Sequence, residues 1–127
     1  MKEPIWLIRE TVLFIHGISL ARFGGMSGIR DEGLLDSALA RPRNVFSYGR
    51  ANDLSDIAAS YAFGLIKNHA FNDGNKRIAL LSAGVFSDQN GTSLVVEAAD
   101  AISAVTALAD GSIGEGEFAA WLRVNLR

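Results

Sequence analysis

The chain has 127 residues, about half of them apolar, which suits one domain built on a single buried core. It contains no cysteine, which excludes disulfides and thiolate metal sites and fits a reducing, cytoplasmic setting. A formal charge of −2 excludes a broadly basic surface that tracks nucleic acid, and the absence of a secretory leader or a membrane-length apolar run leaves neither direct nucleic-acid contact nor a membrane expected.

Apolar residues recur at three- and four-residue spacings and seldom alternate with polar ones, so the expected fold is all-α, a compact single-domain bundle of about six helices over residues 1–127. The first helix is read from Ile5 to Ala21, with Ile8, Val12 and Ile15 on one face. Lys2, Arg9 and His16 repeat every seven residues on another, which places His16 on a solvated stripe and outside any site. Phe23-Gly24-Gly25-Met26-Ser27-Gly28 ends that helix in a glycine-rich turn. Asp31 caps a second helix carrying Leu34, Leu35, Ala38 and Leu39, expected to stop near Arg41 because Pro42 disfavours helical geometry at its predecessor. Residues 42–52 read as a loop that covers a site, docks a partner chain or is an ordinary connection with Phe46 and Tyr48 tucked into the core. Asp53 caps a third helix with the stripe Leu54, Ile57, Tyr61 and Leu65, ending near Lys67. A fourth runs from about Lys76 to Gln89, turns Ile78, Leu81 and Val85 inward and leaves at Asn90-Gly91. Thr92 to Val96 reads as one short strand. The fifth helix spans Glu97 to Leu108, with Ile102 and Val105 inward, and ends by Gly111. The last starts at Gly116 or Glu117, with Phe118, Trp121 and Leu122 inward and Arg123 outward.

Between the third and fourth helices lies His69-Ala70-Phe71-Asn72-Asp73-Gly74-Asn75-Lys76-Arg77, dense in polar groups where a helical core would take something bland. Asp73-Gly74 suits a sharp turn and Asn75 suits the cap of the helix beginning at Lys76. That helix start, with free N–H groups and the positive end of the dipole, is a general anion site. Lys76 and Arg77 in the first turn oppose the dipole by roughly 0.3–1 kcal/mol each, and a bound polyphosphate reverses the sign of that penalty. Asp73 supplies one carboxylate for Mg²⁺ beside such phosphates. His69, an imidazole near neutrality, can take the proton of an incoming hydroxyl. Phe71 anchors the loop in the core. Together these residues point to a hydroxyl nucleophile, a general base, a metal and a phosphate-bearing donor, without naming the donor.

The run His-x-Phe-x-Asp-Gly-Asn-Lys-Arg resembles the signature of Fic-fold proteins, and its lysine resembles the death-on-curing (Doc) branch of toxin–antitoxin modules; seven specified positions make the match specific. Arg22-Phe23-Gly24-Gly25 with Gly28, Asp31-Glu32-Gly33-Leu34-Leu35, Ala40-Arg41-Pro42 and Asn90-Gly91 are similar to Doc landmarks as well. The resemblance implies an all-helical fold that uses ATP with Mg²⁺ to modify a serine, threonine or tyrosine hydroxyl of another protein. It casts His69 as base, Asp73 as magnesium ligand, and Asn72, Gly74, Asn75, Lys76 and Arg77 as nucleotide contacts, with Arg77 also catalytic. Lys76 stands where AMP-transferring Fic proteins have glycine, and its bulk implies the Doc outcome: an inverted ATP, transfer of the terminal phosphoryl group and, by resemblance, elongation factor Tu as target, with translation arrested. Fic-type AMP transfer is the alternative, and a catalytically weak antitoxin-binding module is a second. Two departures bear on these choices, Ala70 where many Fic proteins have proline and Leu81 at a position that is polar in some Doc toxins. Thr106 to Gly111 approaches the family's inhibitory motif but carries Asp110 in place of glutamate. Inhibition is therefore expected from an antitoxin chain whose disordered tail folds into a groove beside the site.

Overall fold

The computed structural model describes residues 1–127 and contains six helices: α1 (Arg9–Phe23), α2 (Glu32–Ser47), α3 (Leu54–Asn68), α4 (Asn75–Gln89), α5 (Ala98–Asp110) and α6 (Glu115–Asn125). The architecture is all-α, as the spacing of apolar residues requires. None of the helices is long and apolar enough to cross a membrane.

The bundle is organised around α3. Its buried residues Ser55, Ile57, Ala58, Ala59, Ser60, Tyr61, Ala62, Gly64 and Leu65 lie on almost every side, so it must be enclosed by other helices. The surrounding helices α2, α4 and α6 supply that enclosure, with Leu35, Ala38, Ile78, Ala79, Phe86, Phe118 and Leu122 fully or almost fully buried against it. Gly64 is part of the reason the packing is close. A methyl group there would lie 3.4 Å from both Cα and the carbonyl oxygen of Ala38 on α2. Asp53 caps α3 by accepting from Asp56 N–H at 3.1 Å, and Arg123 of α6 reaches the same carboxylate at 2.7 Å, fastening the last helix over the start of the central one. Arg123 does point outward, but into this ion pair and a second one with Asp56.

Several sequence expectations are corrected. Residues 5–8 are not helical. Asn90 accepts from the Ile5 N–H and donates to the Ile5 carbonyl, and the Tyr61 hydroxyl accepts from Leu7 N–H, so long-range side chains satisfy a backbone that would otherwise need a helix. The chain enters α1 only at Arg9, which leaves Ile8 exposed and Val12 as the deepest residue of the predicted face. Pro42 does not stop α2, which continues to Ser47. Proline removes the donor that would bond the Ala38 carbonyl, a loss offset by complete burial of the Pro42 ring and by Phe46, which packs edge-on to Trp6 at 5.7 Å. The residues read as a loop are thus half helix, and Tyr48 at its end stays in solvent. Thr92–Val96 is not a strand: an isolated bridge joins Leu94 to Leu126, flanked by Ser93–Arg127 backbone bonds of 3.0 and 2.8 Å. In α5, Ile102 faces solvent and Ala101, Ala104, Val105 and Leu108 form the buried stripe.

Candidate active site

The segment from His69 to Arg77 joins α3 and α4, the two most extensively packed helices. His69 terminates α3 in the left-handed region (φ 48°), the only non-glycine residue with positive φ. That conformation costs a side-chain-bearing residue roughly 1–2 kcal/mol. Arg30 secures it, donating from Nε to the His69 carbonyl at 2.7 Å and from Nη2 to the Asn68 carbonyl at 3.0 Å, a cation placed on the negative end of the α3 dipole. The imidazole of His69 is left exposed.

Phe71 is 1% exposed and anchors the loop as expected. Its neighbours pair with the segment after the glycine-rich turn: Arg30 and Asp31 N–H donate to the Ala70 carbonyl, and Asn72 N–H donates to the Gly28 carbonyl. The N–H and carbonyl of Phe71 itself are both taken by the Asn75 side chain, at 3.1 and 3.0 Å. Asn75 is therefore not the helix cap. It is the first residue of α4, buried and committed to the loop, while Gly74 (φ 75°) occupies the cap position and provides no side chain. The consequence is chemical: the N–H groups of Asn75, Lys76 and Arg77 have no protein acceptor, since the first α4 bond runs from Ile78 N–H to the Gly74 carbonyl.

The glycine-rich turn explains itself at two positions. Gly25 (φ 123°) and Gly28 (φ 103°) adopt left-handed-side conformations, and a Cβ would lie 3.2 Å from Asp73 Cβ at the first and 3.0 Å from Asn72 Nδ2 at the second. The turn lies directly on the loop. Met26 N–H donates to Asp73 Oδ2 at 3.0 Å, and Asn72 Nδ2 donates to the Ser27 carbonyl at 3.0 Å. The Met26 bond, then a backbone bond from Gly74 and the charges of Arg77 and His69, hold the Asp73 carboxyl below the usual carboxylate range even though it is exposed.

These residues line a pocket of about 500 Å³ formed by Ile66, His69, Asp73, Gly74, Asn75, Lys76 and Arg77 with Thr106, Ala109 and Asp110 of α5. Lys76 is exposed, whereas Arg77 is half-buried and partly occupied: Nε donates to Ser19 Oγ at 3.2 Å, Nη2 donates to the Gly24 carbonyl at 3.0 Å, and the guanidinium stands 5.2 Å over the Phe23 ring. Only its Nη1 has no protein partner. Asn72 does not line the pocket; its amide is engaged with Ser27. Asp110 forms the far wall, its carboxyl held low by bonds from the Ser112 hydroxyl and N–H and by the charge of Lys76.

Sequence reasoning set aside one residue that bears on the loop directly. His16 is 5% exposed rather than solvated; its ring stacks on Phe71 at 3.9 Å, and its Nε2 lies 2.8 Å from the Asp73 carbonyl oxygen. A seven-residue repeat of polar residues placed it on the wrong face because α1 mixes apolar and polar residues on both sides, so Phe14 and Ile18 lie outside while His16 and Ser19 lie inside.

The His-x-Phe-x-Asp-Gly-Asn-Lys-Arg run thus spans the left-handed end of α3 and the uncapped start of α4, and the two open onto one pocket. A model of the Fic/DOC family matches residues 6–87, and the chain belongs to that family. It is 31% identical over 114 residues, 90% of either chain, to the protein named Protein kinase doc of Escherichia phage P1. It is 42% identical over 93 residues, 72% of this chain and 69% of the relative, to Toxin Doc of Mycolicibacterium smegmatis.

Proposed function

We propose that the chain is a Doc-type toxin that transfers the terminal phosphoryl group of ATP to a hydroxyl of another protein. The observation that carries this reading is the uncapped start of α4: three consecutive N–H groups without acceptors, reinforced by the helix dipole and by Lys76 and Arg77, open into the pocket that also holds His69 and Asp73. Such a set binds a polyphosphate and disfavours a neutral ligand. The name of the phage P1 relative, a protein kinase, agrees with transfer of phosphate, as does Lys76 in place of the glycine that AMP-transferring Fic proteins carry.

In this reading the acceptor hydroxyl oxygen bonds to the γ-phosphorus while the bond to the ADP oxygen breaks, and the hydroxyl proton passes to the His69 imidazole. The amides of Asn75, Lys76 and Arg77 hold the phosphates, and Arg77 Nη1 is the guanidinium nitrogen left free to join them. A magnesium ion fits the donor set, because Asp73 is an exposed, ionised carboxylate at the pocket edge and Mg²⁺ is held by one or two carboxylates with phosphate oxygens and water. When bound it supplies charge neutralisation to the phosphates. The side chain of Asn75 takes no part, being spent on Phe71.

By the family resemblance the target is elongation factor Tu and the restraining partner an antitoxin with a flexible tail. Phe14 and Ile18, exposed one turn apart on α1, offer such a tail an apolar helix face. The test is incubation of target and Mg-ATP labelled at one phosphate at a time. Label from the γ position on the target, lost in His69→Ala and Asp73→Ala, is the expected result; label retained from the α position means AMP transfer, and none from either position leaves a binding module.

A further inference from the structure

A peptide bond is planar, so its carbonyl and N–H point in opposite directions and cannot be aimed independently. The bond between Asp73 and Gly74 has its carbonyl directed into the protein, where the only polar group it meets is His16 Nε2 at 2.8 Å. A carbonyl oxygen only accepts, so Nε2 is the protonated ring nitrogen and His16 is the donor. With the carbonyl turned inward, the Gly74 N–H is turned outward, to the side of the Asp73 carboxylate, which it helps to keep ionised. Gly74, free of a Cβ and at φ 75°, has access to the rotated peptide as well, because glycine tolerates both signs of φ. Of the groups that hold the observed orientation, the Gly74 N–H on the Asp73 carboxylate is local, and His16 is the one that comes from elsewhere in the chain.

We infer that His16 is a positioning residue: its bond to the Asp73 carbonyl locks the Asp73–Gly74 peptide in the orientation that faces the Gly74 N–H and the Asp73 carboxylate toward the pocket. Its own position is over-determined, as that role requires. The ring is 5% exposed, lies 21° from parallel on Phe71, and sits 3.6 Å from the place a Gly74 Cβ would occupy. Phe71 in turn is pinned through both backbone groups by Asn75. Thus α1 reaches the Asp73–Gly74 peptide through an imidazole, as it reaches Arg77 through Ser19 and Phe23, although α1 contributes nothing to the pocket lining.

The consequence for turnover rests on the phosphoryl-transfer reading above, but the peptide orientation does not, and the experiment separates them. His16→Phe keeps a ring on Phe71 without a donor; His16→Gln restores a donor near the Nε2 position without the ring. In the nucleotide-free full-length protein, the sequential nuclear Overhauser contact between Asp73 Hα and the Gly74 amide reports the orientation directly. The expected result is a changed contact in His16→Phe, a wild-type contact in His16→Gln, and kcat for transfer from Mg-ATP about 10- to 100-fold lower in the first, with recovery in the second. An unchanged contact in folded His16→Phe overturns the inference. So does a folded His16→Gln that loses orientation and kcat, a result that would make ring packing the determinant, and this arm stands even if His16→Phe does not fold. A wild type inactive toward ATP defeats the functional reading while leaving the contact to decide on His16.

Discussion

Asn75→Ala removes a side chain that looked suited to phosphate and acts instead as a staple. The substitution leaves the Phe71 N–H and carbonyl, both bonded only to Asn75, without partners inside a loop whose Phe71 ring is 1% exposed. Each unsatisfied buried group costs about 1–3 kcal/mol, so the pair amounts to roughly 2–5 kcal/mol, allowing for one group that recovers a water. For a chain of this length about 1 kcal/mol displaces the melting midpoint by ~4 °C, so Tm should fall by roughly 8–20 °C. Urea denaturation with the linear extrapolation checks the magnitude, and an unchanged m-value verifies that only the native state was affected. Asn75→Asp should be almost as damaging, because it keeps the acceptor for Phe71 N–H but turns a second acceptor onto the Phe71 carbonyl. A loss below about 1 kcal/mol for Asn75→Ala would contradict the staple role. It would mean that the loop is hydrated and the Asn75 amide is available to a ligand.

His69→Gly should remove transfer activity yet raise stability by about 1 kcal/mol, since glycine relieves the left-handed strain at the α3 terminus; calorimetry and the labelled-phosphate assay measure the two effects. Gly28→Ala, at φ 103° and with its new Cβ 3.0 Å from Asn72 Nδ2, should cost about 1–3 kcal/mol by thermal melt and break the Asn72–Ser27 bond. Arg123 chiefly, and then the Asp56 N–H, lower the Asp53 carboxyl from its ordinary value. Its contribution is therefore present above the unfolded pKa and lost as pH falls through the lower folded one. Asp53→Asn should flatten that acid limb of the stability curve, by no more than about 1 kcal/mol because the ion pair is open to solvent.

Much of this was legible along the chain, and the exceptions share a cause. The α2 and α3 caps Asp31 and Asp53 were readable because capping is local. Burial of Ile57, Tyr61 and Leu65 was legible too, although α3 is enclosed on almost every side and not along one stripe, and the family motif carried the residues between α3 and α4 that line the pocket. What the pattern hid was decided by groups distant in sequence. Ile5 stays out of the helix because Asn90 holds it, 85 residues away, and His16 faces inward because the Asp73 carbonyl, 57 residues away, needs a donor. Pro42 continues a helix because burial of its ring offsets a missing bond, a balance that no local rule contains. Asn75 illustrates the subtler failure. The residue type suited a cap, but a glycine before it could take the left-handed cap position and release the amide for the loop.

If the start of α4 is a polyphosphate site, a crystal structure with Mg-ATP will show phosphate oxygens within hydrogen-bonding distance of the Asn75, Lys76 and Arg77 amides, with the cation against Asp73 and the terminal phosphate facing His69. A nucleotide bound away from those three amides, or seated in the pocket with its phosphates turned from them, would contradict it.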